Sequence, residues 1–270
     1  MKIKKYIVLG IALVAVFAVA GTVSATHSWG DYHWARTSNP FTVKVVDSVT
    51  SSWNATLDTA VGDWNASSIL NVAKEAGSDS WTARFNCTMP KGKVRACNYT
   101  YGNTGWLGIA QIVVNSAHHI TKGRAAMNDT YFNTSPYNTS AWRQLVMGQE
   151  VGHTLGLDHQ DENFTNPNLG TCMDYTNDPD GTLADPDQLS NEHPNQHDYD
   201  QLGVIYAHLD SVNTIAAVSS RSNGNNAEGN LHNPSAWGKT VRQDARGNNS
   251  LYERDLGKGE KLFTFVIWAE

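Results

Sequence analysis

The strongest constraint on this chain is the stretch Gln149-Glu150-Val151-Gly152-His153-Thr154-Leu155-Gly156-Leu157-Asp158-His159. Ala141, Leu145, Val146, Gln149, Val151, His153 and Leu155 recur at spacings that predict a helix over 140–157, and Gly156 ends it. Positions i and i+4 of a helix share a face, so Gln149 and His153 can point at one atom. Glycine tolerates positive φ, so the chain can turn sharply at Gly156 and bring His159 back to the same point. Glu150 lies beside this cluster, close enough to hold a water.

The stretch has the form H-E-x-x-H-x-x-G-x-x-H with Gln149 in place of the first His. Downstream, Thr171-Cys172-Met173-Asp174-Tyr175 supplies a Met-containing turn. On these residues the chain resembles the metzincin zinc metalloproteases, nearest to their matrixin-like bacterial branch, over residues 41–209. The resemblance implies an α+β, zincin-like fold: a twisted, mostly parallel sheet over an active-site helix, with a smaller subdomain after Gly156. It implies Zn²⁺ held by Gln149, His153 and His159, with Glu150 as general base and Met173 as the Met-turn. The cleft strand maps to 105–115, where Ile109, Ala110, Gln111, Ile112 and Val113 are expected to pair with an extended peptide or protein substrate. The implied activity is that of a secreted zinc endopeptidase. Tyr175 follows Met173 by two residues, the spacing at which some metzincins carry a Tyr that binds the metal and then stabilises the transition state. The other reading of Tyr175 is a packed ring whose hydroxyl caps a backbone group.

Gln149 leaves three outcomes open. Its neutral oxygen is a weaker zinc ligand than imidazole but has similar reach, so it can bind zinc with help from Tyr175. Alternatively His118, His119, Asp158 or Asp161 takes the vacancy. Finally, the site is empty and the protein is a catalytically inactive, extracellular binding relative. Glu150 argues for a working site, because a carboxylate aimed into an empty buried pocket is an uncompensated charge.

A net charge of −6 and a pI near 5.9 give no basic footprint for nucleic acid. Lys2, Lys4 and Lys5, an apolar run over 6–20 and Val23-Ser24-Ala25 predict a signal peptide over 1–25, or alternatively an uncleaved anchor, and hence an extracytoplasmic, secreted or cell-surface protein. Residues 26–212 are expected to form the metzincin-like domain, 213–233 a Ser/Asn/Gly-rich linker, and 234–270 a β-rich extension. That extension either covers an edge of the main domain or binds a surface elsewhere. Export permits disulfides, and Cys87 and Cys97 flank a short loop that a bridge would close, leaving Cys172 over. Nine N-x-S/T sequons are either glycan acceptors or the by-product of an Asn- and Thr-rich surface. Asp174, Asp178, Asp180, Asp185 and Asp187 crowd one irregular stretch, which suits either Ca²⁺ or a solvated acidic loop. Nothing in the sequence ties His193, His197 or His208 to a metal.

Overall fold

A computed structural model of the chain describes residues 27–183, 187–215 and 230–269. The expected signal peptide, most of the expected linker and Asp185 lie outside the described residues. In chain order the elements are β1 (His33–Trp34), β2 (Phe41–Ser48), α1 (Asn54–Trp64), β3 (Leu70–Ala76), α2 (Trp81–Asn86), β4 (Val94–Tyr99) and β5 (Trp106–Val114). They continue with β6 (His119–Asn128), α3 (Asp129–Phe132), α4 (Ser140–Thr154), α5 (Gln196–Ile205), β7 (Lys239–Gln243), β8 (Asn249–Gly257) and β9 (Glu260–Trp268).

Local sequence accounts for most of these elements. In β2, Phe41, Val43 and Val45 turn inward while Thr42 and Lys44 face solvent, the period-2 alternation of a strand with one covered face. Leu57, Ala60 and Trp64 form the buried stripe of α1. Thr139 caps α4 by accepting from the Trp142 amide. Nearly every side chain of α4 is buried, because the helix lies between the sheet and the turn at 171–175. All nine residues of β5 are buried, as in a strand with neighbours on both edges and cover on both faces.

The strands form one sheet in the order β3-β2-β4-β6-β5-β9-β8-β7, with β1 paired to β6. Pairings among β1, β2, β3, β4 and β6 are parallel, and those of β5, β7, β8 and β9 are antiparallel. The expected mostly parallel sheet therefore holds for the N-terminal half only. Short turns join β7, β8 and β9, and short turns permit only antiparallel neighbours. The C-terminal strands continue the main sheet, and Leu251, Phe263, Phe265 and Ile267 share one core with α1, α4 and β2. Of the two roles left open for the extension, the fold selects covering an edge.

Cys87 and Cys97 form a disulfide with Cα atoms 5.9 Å apart, and Cys172 is buried and free. Asn98 and Asn128, two of the sequon asparagines, are buried and spend their amides on hydrogen bonds to Thr50, Asp129, Gly102 and Thr104. Among the described residues, no helix is long and apolar enough to cross a membrane.

Candidate metal centre

Three glycines, one helical turn apart, shape the helix that carries the centre. A Cβ on Gly148 would sit 3.0 Å from Cys172 Sγ, and one on Gly152 would sit 2.6 Å from Met173 Sδ. Their absence lets the turn at 171–175 press against α4. Gly156 takes φ 102°, a left-handed value that ends the helix and redirects the chain toward His159. From the other side, Gly108 in β5 makes room for Glu150, whose Oε1 would lie 2.6 Å from any Cβ there.

His153 and His159 meet with their Nε2 atoms 2.8 Å apart. His153 Nδ1 donates to Leu157 O at 2.9 Å, and His159 Nδ1 lies 2.5 Å from Glu162 Oε1. Each ring thus spends its Nδ1 proton on an acceptor and turns Nε2 toward the other, the arrangement in which an outer acceptor orients a metal ligand. Two bare lone pairs at this distance repel unless a proton or a cation lies between them. Zn–N bonds of about 2.0–2.1 Å at a tetrahedral angle place such atoms about 3.3 Å apart. A small ring rotation therefore fits the pair to zinc.

Gln149 donates its amide Nε2 to Cys172 O at 2.9 Å, which leaves Oε1 buried with no hydrogen-bond partner. Both carboxylate oxygens of Glu150 are also buried without a well-formed hydrogen bond. Unpartnered buried oxygens are costly, and a cation with its water is the group that would satisfy them. Burial pushes the Glu150 carboxyl well above the usual range, an effect the Ala110 backbone amide offsets only in part. Burial likewise drives His153 well below the usual imidazole range, with His159 adding to the shift.

The C-terminal strands close over these residues. Strand β9 pairs antiparallel with β5, setting Ile109 opposite Val266, Ala110 opposite Phe265, Gln111 opposite Thr264, Ile112 opposite Phe263 and Val113 opposite Leu262. Residues 109–113 therefore have no free edge for a substrate, contrary to expectation, because this chain's own last strand fills it. A buried polar ladder fixes that register: Arg124 Nε donates to Gln111 Oε1 at 2.9 Å, and Gln111 Nε2 donates to Thr264 Oγ1 at 2.8 Å. Phe265 stacks on His153 with ring centroids 4.2 Å apart. Tyr175 donates its hydroxyl to Val266 O at 3.0 Å and packs against His159 and Phe164. Arg242 of β7 reaches Asp158 with two nitrogens at 2.5 and 2.7 Å and approaches Glu162 Oε1 at 2.8 Å. Burial alone would raise Asp158, but the Arg242 guanidinium outweighs it and holds the carboxyl below its usual range.

No known protein family and no curated protein matches the chain. Among solved structures, an archaemetzincin from Archaeoglobus fulgidus complexed with malonate is similar, at 16% identity. The alignment covers 59% of this chain and 99% of that one, with a TM-score of 0.32. A likeness of that size carries no argument, so function is read from the residues themselves.

The remaining site expectations divide. Asp158, with His159 and Glu162, offers ligand atoms within 4.8 Å of one another, yet Arg242 already engages Asp158. His118 and His119 turn to Asp31 and Asp210 instead. In the acidic stretch, Asp178 accepts from the amides of Thr182 and Leu183, and Asp174 accepts from Leu169 N and Asn191 Nδ2. Those carboxylates serve as turn acceptors rather than converging as a Ca²⁺ cage does. Sequence reasoning missed Glu162, Arg242 and Phe265. Glu162 was findable as a carboxylate one turn beyond a candidate ligand, whereas Arg242 and Phe265 arrive through long-range strand pairing.

Proposed function

We infer that the chain is a latent zinc-dependent endopeptidase whose cleft is occupied by its own C-terminal strands. The observation that carries this reading is the meeting of the His153 and His159 Nε2 atoms, together with the unpartnered buried oxygens of Gln149 and Glu150 on the same helix as His153. Gln149 Oε1, His153 Nε2 and His159 Nε2 would hold the ion, with Met173 packed against Gly152 of the helix that carries the first two. When bound, zinc supplies a Lewis acid for the scissile carbonyl and acidifies water toward neutrality.

The chain's own residues do the rest. Glu150 accepts a proton from the attacking water at a carboxylate oxygen and delivers it to the leaving amine. Once the cover moves, the backbone of residues 109–113 aligns an extended peptide by strand addition. Release of Tyr175 from Val266 O frees its hydroxyl to donate to the developing oxyanion. Leu157 O and Glu162 keep the two imidazoles oriented throughout. Closure removes access to Glu150, and burial there disfavours the charged form that a base requires. The expected setting is extracytoplasmic, following the signal read over residues 1–25.

The filled edge of β5 favours a second reading, a non-catalytic binding protein that keeps the fold but not turnover. One experiment separates them. Zinc-loaded protein nicked by a site-specific protease engineered into residues 213–233 should hydrolyse unfolded protein in a chelator-sensitive way, faster than the intact chain. Absence of hydrolysis from both forms, and from a nicked Gln149→His variant, leaves the binding reading.

A further inference from the structure

A second set of metal-binding side chains gathers where β1, β6 and the segment after α5 meet. His33 and His119 are register partners in the β1–β6 pairing, which places their rings side by side with centroids 5.0 Å apart. His208 Nε2 lies 3.2 Å from His33 Nε2. Asp210 Oδ1 completes the group, at 3.3 Å from His33 Nε2, 3.2 Å from His119 Nε2 and 3.7 Å from His208 Nε2. Nitrogens of His33 and His208 and a carboxylate oxygen of Asp210 thus lie within 4.8 Å of one another, and His119 flanks them through the same Asp210 oxygen. Their spacing approaches the roughly 3.3 Å between donors around a tetrahedral zinc.

The surroundings hold these atoms in a ligating pose. His33 Nδ1 donates to Asp31 O at 2.7 Å, so in the neutral ring Nε2 presents a lone pair to the group. The other Asp210 oxygen accepts from the Arg36 amide and guanidinium at 3.1 and 3.0 Å, which aims Oδ1 at the histidines. Arg36 is itself buried, and its guanidinium also donates to Tyr206 O, His208 O and Asn39. A lone pair on His33 Nε2 3.3 Å from a carboxylate oxygen needs a cation or a proton between them.

We propose that His33, His208 and Asp210 bind one Zn²⁺ as a structural clamp, with His119 swinging from Asp210 to become the fourth ligand when the ion arrives. Four protein ligands leave no open position, the mark of structural rather than catalytic zinc. The clamp ties β1 and the end of the last core helix to the sheet. It also steadies the end of α4, because Trp34 Nε1 donates to Thr154 O at 2.8 Å and Tyr206 donates to Leu155 O at 2.7 Å. None of these four residues belongs to the centre around His153, and the proposal stands independently of the peptidase reading.

The test uses the full chain carrying His153→Ala and His159→Ala, which disables the first centre. Metal analysis after equilibration with zinc should find one zinc per chain, and zinc should raise the melting temperature. Adding His208→Ala, at a side chain 56% exposed and so safe for folding, should weaken binding about tenfold or more and abolish the zinc-dependent rise in melting temperature. His33→Ala should do the same. A double variant that binds no zinc, or zinc binding left unweakened by His208→Ala, overturns the proposal and leaves a hydrogen-bonded histidine–aspartate cluster.

Discussion

Strand β5 meets a different kind of neighbour on each edge. On one side β6 leads into the parallel half of the sheet, which carries the Cys87–Cys97 bridge. On the other side β9 arrives from the far end of the chain and touches the candidate centre directly, through Phe265 on His153 and Val266 O on Tyr175. Backbone ladders are similar on both edges, so hydrogen bonding does not distinguish framework from cover. What distinguishes them is the side chains they send toward 149–175. A framework edge leaves the centre's residues alone, whereas the cover occupies their polar and aromatic partners. Closing the site and docking the last three strands are therefore one event.

Four changes test that contrast. Glu150→Ala should lower proteolysis by about 10²–10⁴-fold, the range for losing a general base, with an unchanged circular dichroism spectrum. Retained activity would remove Glu150 from the chemistry. Arg242→Ala leaves Asp158 and Glu162 without their cation, a loss of about 3 kcal/mol for a partly buried pair. It should raise proteolysis by the intact chain and speed hydrogen exchange of β9 amides while leaving β6 amides protected. Equal exchange on both edges would erase the distinction between cover and framework. Gln149→His exchanges an amide oxygen for imidazole and should tighten zinc about tenfold or more in a chelator competition. An unchanged affinity would show that position 149 does not touch the ion. Replacing Cys87 and Cys97 by Ser opens a loop with a sequence separation of 10, costing about 2–3 kcal/mol of stability. Because this bridge belongs to the framework side, zinc affinity should stay as it was in the same urea and metal titrations.

Much of this was legible in the sequence, for reasons that are local. The helix carrying Gln149, Glu150 and His153 follows from apolar spacing, and the turn at Gly156 follows from the one residue that accepts φ 102° without strain. The convergence of His153 and His159 is a consequence of those two facts. The strand character of 260–268 was also readable, but its partner was not. Pairing with β5 depends on a register set by Gln111 and Thr264, residues far apart in the chain, and no periodicity reports that. The same limit hid the second histidine group. His33 and His119 become neighbours only through the β1–β6 register, and nothing in the sequence fixes the spacing of His208 to either.

The position of the metal decides between a working centre and a hydrogen-bonded pair of histidines. Anomalous scattering at the zinc edge, from crystals of the zinc-loaded chain, measures this directly. The expected result is a peak about 2.0–2.2 Å from His153 Nε2, His159 Nε2 and Gln149 Oε1, with Glu150 beside it. A zinc-saturated crystal with no density at that point, and the two imidazoles still bonded to each other, would contradict it.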